Sequence, residues 1–335
     1  MWDFADAVGG VLGQLGQFLM TRPSESTPLA AVLFVPLAAV LYFALGSWRR
    51  IWRFRYRRVL RVVLSRRYLS HRSHVLDVLL MAGNMSIFAV IIAQATLSMT
   101  AVSAVFYAGL SGAFGTQDGS WYSPVFVGSV WAFALFLAYE LAYWIDHYLS
   151  HNVAVLWEFH KVHHTAEVLS PLTNFRVHPI DSLVFVNIVA ICNGVTAGIL
   201  HWVFGAGPVQ LEWLNHTVLI GLAVTVFAQL QHTHIWIAFT GWAGRLILSP
   251  AHHQIHHSMD PKHHNKNLGN LIAVFDWAFG TLYIPTKQRQ KLVFGLEPQV
   301  TPAHDLNEGL VQPFIDAGRL VMPGVAVPNA AKNAL

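Results

Sequence analysis

Three short runs of histidine are the residues of this chain best suited to chemistry. The first run has the spacing H-x-x-x-H, and the other two have H-x-x-H-H. Residues three or four apart share one face of an α-helix, so each run can direct its imidazoles to one place. Eight imidazoles exceed the needs of one four-coordinate ion, so the spacing predicts a dinuclear metal site with redox or hydrolytic chemistry. The eight are His147, His151, His160, His163, His164, His253, His256 and His257.

A ninth histidine and three further polar residues extend this set. His232 lies near the inner end of an apolar segment, and we expect it to be a ligand. His234 would lie on a different face if that segment is helical, so we expect at most one of the two to bind metal. His178 is either a ligand or a hydrogen-bond partner of one. Asp146 either orients the imidazole of His147 or is an ordinary acid at a helix end.

Most other side chains that can bind metals are expected to be bystanders. Cys192 is the sole cysteine, which excludes thiolate zinc sites, iron–sulfur sites and a disulfide framework. His252, His263 and His264 are either extra ligands or polar surface. A lone histidine is more often a packing residue than a ligand, which applies to His71, His74, His201, His216 and His304.

The composition places these histidines in a membrane protein. The chain has 335 residues, of which 54% are hydrophobic and 11% charged, and its mean hydropathy is +0.46. Soluble domains carry about 25% charged residues. The deficit of charge, together with long apolar runs, indicates an integral membrane protein.

Five apolar runs are long enough to cross about 30 Å of hydrocarbon. The fold class that we predict is therefore an all-α, polytopic bundle of four to five spans, with a histidine-rich helical cap on the cytoplasmic side. The fourth and fifth runs could instead form a hairpin that stays in one leaflet. The runs cover about 27–48, 75–97 with a continuation to 110, 124–144, 180–204 and 211–230.

A basic segment sets the expected orientation. Ten arginines and no acid lie between Arg49 and Arg72, and such segments remain in the cytoplasm. Because this segment directly follows an apolar run, contact with anionic lipid is a better interpretation than nucleic-acid binding. All three histidine runs then lie on the cytoplasmic side. We expect a multi-pass protein of a bacterial inner membrane.

Four parts are expected along the chain. We detect no internal repeat and no separable soluble domain. The parts are an N-terminal segment at 1–26, N-terminal spans at 27–123 with a basic loop at 49–74, a histidine-box catalytic membrane domain at 124–290, and a C-terminal cytoplasmic tail at 291–335.

The order of the three runs and the residues around them resemble a known family. Asn174, Arg176 and Pro179 after the second run, Ser249 before the third and Asp276 after it all strengthen the likeness. The pattern is similar to the fatty acid hydroxylase/sterol desaturase superfamily of integral membrane enzymes, over roughly residues 125 to 285. Three residues separate the first two histidines, which favours the sterol desaturase-like branch.

The resemblance implies a non-haem diiron enzyme with O₂ as co-substrate. Such an enzyme hydroxylates or desaturates a C–H bond of a lipid, such as a sterol or an acyl chain, and zinc can replace its iron on purification. No catalytic residue beyond the metal site is implied. The family often has Asn at the position of His234. The ligands that the resemblance carries over are His147, His151, His160, His163, His164, His253, His256 and His257, with His232 from the last span.

The resemblance also implies two partners. One is the membrane lipid substrate, entering sideways from the bilayer. The other is a separate cytoplasmic electron donor of the ferredoxin, rubredoxin or cytochrome b5 type, because the chain has no flavin, haem or ferredoxin motif of its own. Aromatic residues of the third span either line the substrate path or pack against core and lipid, and these are Trp131, Phe133, Phe136, Tyr139 and Tyr143.

Two other functions compete with the oxygenase. A dizinc membrane hydrolase would need an open position for water, and it usually uses carboxylates as well. A metal-binding or metal-transport protein would place polar residues at mid-membrane, whereas these histidine runs lie at one interface. Both are disfavoured by the ligand types and their expected position.

Overall fold

The computed structural model describes residues 71–86, 93–119, 122–205, 229–233, 235–296 and 303–322. The regular secondary structure of this part of the chain is helical. Two isolated β-bridges join Ile247 with Ile272 and Ser258 with Phe294. The helices are α1 (Arg72–Met85), α2 (Met99–Phe114), α3 (Pro124–Asn152), α4 (Ala154–His164), α5 (Pro179–Phe204), the single turn α6 (Gln229–Gln231), α7 (Gly241–Leu246), α8 (Pro250–His256), α9 (Val274–Ala278) and α10 (Gln312–Val321), with 3-10 turns at Pro171–Phe175 and Pro261–His263 and a π-turn at Asn307–Val311.

Three of the described helices are long and apolar enough to cross a membrane. They cover Ala93–Phe114, Pro124–Asn152 and Pro179–Phe204. The second of these is α3, whose 29 residues extend about 43 Å at 1.5 Å per residue. That length exceeds the roughly 30 Å of hydrocarbon. The last turns of α3, which carry the first histidine run, can therefore project beyond the hydrocarbon layer although they belong to the same continuous helix.

The expected span at 75–97 is wrong in its bounds. Helix α1 ends at Met85, and the next apolar helix covers Ala93–Phe114. Leu76 and Leu80 of α1 pack against Val162 and Ala303 in a small core. Hydropathy could not separate α1 from the apolar helix that follows it, because the buried face of α1 is as apolar as a helix face in contact with lipid. The expected spans at 27–48 and 211–230 lie outside the described residues, apart from the last two positions of the second.

The three long helices pack through small residues and a compact core. Gly194 and Gly198 of α5 face α2 so closely that a Cβ on Gly194 would lie 2.6 Å from the Cβ of Val102. Small residues of this kind let membrane helices approach each other. On its other side α5 packs on α3, in a core formed by Val127, Trp131, Leu135, Ala197, Leu200 and Phe204.

Arg176 joins α1, α4 and the C-terminal segment, which together we call the cap. Its guanidinium is fully buried and pairs with Asp77 of α1, with Nη1 3.0 Å from Oδ1. Nε and Nη2 both donate to the Thr165 hydroxyl, and Nε also donates to the Val162 carbonyl at the end of α4. The carbonyl of Ala303 accepts a further bond from Nη2. One side chain thus holds α1, α4 and the C-terminal segment together.

Candidate metal centre

Four elements bring the clustered histidines together. Helix α3 supplies the first run from its last two turns, and α4, which follows after Val153, supplies the second. His232 comes directly after α6, and α8 carries the third run. Ser249 begins α8 with a capping box, in which the His252 side chain accepts from the backbone of Ser249. The histidine-bearing faces of α3, α4 and α8 are therefore directed towards one point.

All nine expected ligands lie in two buried groups of imidazoles. Within each group the nearest ring nitrogens lie within 4.8 Å of one another. Contacts also join the groups, since the rings of His164 and His257 stack with their centroids 4.6 Å apart. We call the groups the five-histidine group, which is His147, His151, His160, His164 and His256, and the four-histidine group, which is His163, His232, His253 and His257.

The distances between ring nitrogens in the two groups fit metal coordination. Two imidazole nitrogens that each lie about 2.1 Å from one ion, at about 90–110°, are about 3.0–3.4 Å apart. In the four-histidine group, Nε2 of His232 lies 3.1 Å from that of His163, 2.9 Å from that of His253 and 3.2 Å from that of His257. In the five-histidine group, Nε2 of His164 lies 3.2 Å from the Nε2 atoms of His151 and His256. Each group is therefore compact enough to surround one ion.

The outer nitrogens of several rings show which nitrogen is free to bind. Nδ1 of His147 lies 2.7 Å from the Leu268 carbonyl, and Nδ1 of His256 lies 2.9 Å from the Lys266 carbonyl. A carbonyl only accepts, so these Nδ1 atoms carry the protons and the neutral rings present Nε2 lone pairs inward. Nε2 of His147 and His160 are buried without a hydrogen-bond partner. A cation between them would satisfy lone pairs that face each other in this way, so the donor set fits a bound metal.

Burial keeps five of these imidazoles neutral. Desolvation and the neighbouring rings lower the pKa of His163, His164, His253 and His257 well below the usual value. Burial likewise lowers the pKa of His256, to about 3. Only neutral imidazole can ligate a metal. These five imidazoles are thus in the binding form at neutral pH.

The remaining candidates have other surroundings. His178 caps α5, because its Nδ1 accepts from the N–H of Ile180 and its Nε2 contacts the Leu310 carbonyl. Both of its nitrogens are thus occupied away from the two groups. His234 lies outside the described residues. Asp146 is buried with Oδ1 unpartnered, and it lines a cavity beside His147.

The sequence did not single out the acid that holds His160. Oδ2 of Asp181, in the first turn of α5, lies 3.1 Å from Nδ1 of His160. A carboxylate in this position orients a metal-binding imidazole and raises its basicity. Asp181 follows Pro179 and resembles an ordinary helix-start acid, so only the folded structure reveals its partner.

Two buried acids fix the loop that orients His147. The Glu140 carboxylate accepts from the N–H groups of Leu271 and Ile272 and from the amide of Asn270. Asp276 accepts from the N–H groups of Leu268 and Gly269. These bonds hold the stretch 268–272 in place, and with it the Leu268 carbonyl that contacts His147.

A cavity of about 230 Å³ opens onto both groups. His147 and His160 of the five-histidine group and His163 and His232 of the four-histidine group form part of its wall. Tyr139, Tyr143 and Phe185 form an aromatic side, with the Phe185 ring 5.7 Å from that of Tyr143. Trp131 instead packs in the core, and Phe133 is exposed. The aromatic residues of α3 therefore divide between the cavity wall, the core and the surface.

Comparison with known proteins identifies the segment that holds this centre. Residues 132–281 match the family model described as Fatty acid hydroxylase. Over this segment the chain is similar to that family. The segment contains all nine clustered histidines, Asp181 and the residues of the cavity wall. No solved structure matches the chain significantly.

Similar proteins are named for reactions on alkylglycerols, ornithine lipids and sterols. The alkylglycerol monooxygenase of Danio rerio is 25% identical over 170 residues, which is 50% of this chain and 33% of the relative. The ornithine lipid hydroxylase OlsE of Rhizobium tropici is 27% identical over 181 residues, covering 54% of this chain and 49% of the relative. The Delta(7)-sterol 5(6)-desaturase erg3C of Aspergillus fumigatus is 27% identical and is covered over 48% of its length. The chain thus spans a third to a half of the relatives that it matches.

Proposed function

We propose that this protein is a membrane-bound diiron oxygenase that hydroxylates or desaturates a C–H bond of a membrane lipid. The observation that carries the proposal is the convergence of nine buried imidazoles into two adjoining groups at the wall of one cavity. Imidazole suits iron, zinc and copper alike. The fatty acid hydroxylase domain favours iron, and the relatives named for hydroxylase, monooxygenase and desaturase activities favour O₂ chemistry.

Each part of the centre has a task in this chemistry. When bound, the two ions would supply the redox capacity to reduce O₂ and oxidise an unactivated C–H bond. The five-histidine group and the four-histidine group hold them. Asp181 orients His160, and the Leu268 carbonyl orients His147. The aromatic wall of the cavity holds the substrate and excludes water, which protects reactive species from side reactions.

Electrons would come from a separate protein. The described residues contain no cysteine cluster for iron–sulfur chemistry, and Cys192 is the one cysteine of the chain. We propose a cytoplasmic donor of the ferredoxin, rubredoxin or cytochrome b5 type. The arginine-rich segment at 49–72 would keep the metal centre on the cytoplasmic side of a bacterial inner membrane.

Isotope labelling of lipids tests the proposal. A host that lacks the gene would express either the unchanged protein or the His163→Ala variant and grow under heavy-isotope O₂. We expect one class of lipid to gain a heavy oxygen, or to lose two hydrogens, only with the unchanged protein. Lipids that are cleaved by water with no dependence on O₂ would instead indicate the dizinc hydrolase and contradict the proposal.

A further inference from the structure

We infer that the substrate presents a hydroxyl or amino group to Asp146, so that the oxidised carbon lies a few bonds from a hydrogen-bond donor. This inference rests on the proposed function and specifies its substrate class. It depends on one buried acid that the metal centre leaves without a partner. Lipids with a polar donor near the oxidised position fit this site, whereas a plain hydrocarbon segment does not.

Asp146 differs from the other buried acids of the described residues. It is 8% exposed, and its Oδ1 has no hydrogen-bond partner. A buried polar group without a partner is costly, and most such groups in folded proteins are satisfied. The other five buried acids all have partners, which are Arg176 and Thr173 for Asp77, backbone N–H groups for Glu140 and Asp276, Lys161 for Glu158, and Ser150 and His160 for Asp181.

The position of Asp146 indicates what the missing partner is. Asp146 lines the cavity together with His147 and His163, one from each histidine group. A molecule in this cavity would therefore contact the acid and both groups at once. The ionised carboxylate of Asp146 only accepts hydrogen bonds, and a protonated carboxyl keeps a carbonyl oxygen that accepts. The group that satisfies them is a donor on the substrate, for which a hydroxyl or an amine is the simplest choice.

The rest of the cavity wall supports a short, partly polar segment of substrate. Asn174, Ser182 and Asn270 add polar atoms, and Tyr139 and Phe185 add apolar area. The volume of about 230 Å³ is below the roughly 300–1,000 Å³ of sites that enclose a drug-sized ligand. One end of a lipid fits, and the remainder must lie outside. We conclude that the donor-bearing end enters first.

A binding measurement on the unchanged protein tests this inference without turnover. Metal-loaded protein in nanodiscs would be incubated with tritiated cetyl alcohol, with empty nanodiscs to subtract partitioning. Unlabelled cetyl alcohol, hexadecylamine and the methyl ether of cetyl alcohol would compete. The ether matches the alcohol but donates no hydrogen bond. We expect the alcohol and the amine to compete about tenfold better than the ether, since an unsatisfied buried acceptor is costly. Equal competition by the ether would overturn the inference.

Variants assign the preference to Asp146. Asp146→Ala should reduce the alcohol-to-ether ratio to about one, and Asp146→Asn, which keeps an acceptor oxygen, should retain part of it. Asp260→Ala removes an exposed acid outside the cavity and serves as the control. Metal content is measured on each variant to confirm an intact centre. Asp146→Ala that keeps both its metal and the full preference would refute the assignment. O₂ uptake with a lipid extract, measured separately, tests the proposed function.

Discussion

At the scale of single residues, the nine clustered histidines differ from His178 in the groups that surround their ring nitrogens. His147 and His160 direct unpartnered Nε2 atoms into the group, whereas His178 uses both nitrogens on the backbone. Sequence spacing identified eight of the nine, because helical periodicity places them on common faces, whereas His232 was expected from its place near the end of an apolar segment. It could not decide His178, whose role depends on Leu310, 132 positions away.

Removal of one ligand tests the four-histidine group. His163→Ala deletes a nitrogen that lies 3.1 Å from Nε2 of His232, so we expect about half of the bound metal or more to be lost, and turnover with it. Elemental analysis of the purified variant measures this. His304→Ala is the control, because His304 is half-buried near Glu167 and belongs to neither histidine group. Full metal content in the His163 variant would count against the group as a site.

Replacement of Asp181 tests the support of the five-histidine group. Asp181→Asn weakens the acceptor 3.1 Å from Nδ1 of His160, and loss of such a partner typically costs about 10–100-fold in metal affinity or activity. Competition with a metal chelator measures the affinity. Asp316→Asn removes an acid that pairs with Lys161 and Arg319 outside the centre, and we expect no change there. An unchanged affinity in the Asp181 variant would show that His160 needs no such support.

At the scale of elements, the cap depends on a buried ion pair that the sequence could not reveal. Arg176→Leu leaves Asp77 buried without its cation, which should reduce the free energy of unfolding by about 3–5 kcal/mol. Arg319→Leu breaks the exposed pair with Asp316, and we expect about 0–1 kcal/mol. Thermal unfolding in nanodiscs compares the two. Equal losses of stability in the two variants would contradict the inference that Arg176 holds the elements of the cap together.

The contact between α2 and α5 depends on glycine. Gly194→Ala would place a Cβ 2.6 Å from that of Val102 and 2.9 Å from the Met99 carbonyl. Overpacking of this size typically costs about 1–3 kcal/mol. Gly109→Ala, on α2 itself, adds a Cβ with nothing within 4 Å and should be neutral or slightly stabilising. Unfolding by denaturant distinguishes the variants, and similar stability of both would disprove the close approach.

The elements show where sequence reasoning succeeds and fails. Hydropathy located α3 and α5, since each is a single long apolar helix. It merged α1 with the following helix, because burial against Val162 and burial in lipid select the same residue types. The expected boundaries of the N-terminal segment, the basic loop and the tail remain predictions.

At the scale of the whole molecule, three long helices support a cap in which distant parts of the chain meet. Residues 147 to 257 contribute to one centre, and the domain at 132–281 that matches the Fatty acid hydroxylase model contains all of it. Contacts from Ala303 to Arg176 and from Phe314 to Phe159 extend the cap beyond that domain. The order of the runs could be identified from the sequence, but the division of the nine ligands into two groups required the fold.

We propose that the two histidine groups hold iron that oxidises lipid with O₂. The most direct test is O₂ consumption by the purified protein, supplied with a reductant and a lipid extract and normalised to its measured iron. We expect lipid-dependent consumption that rises with iron until both groups are filled. Consumption that is absent at full iron loading, or lipid cleavage that proceeds without O₂, would contradict it.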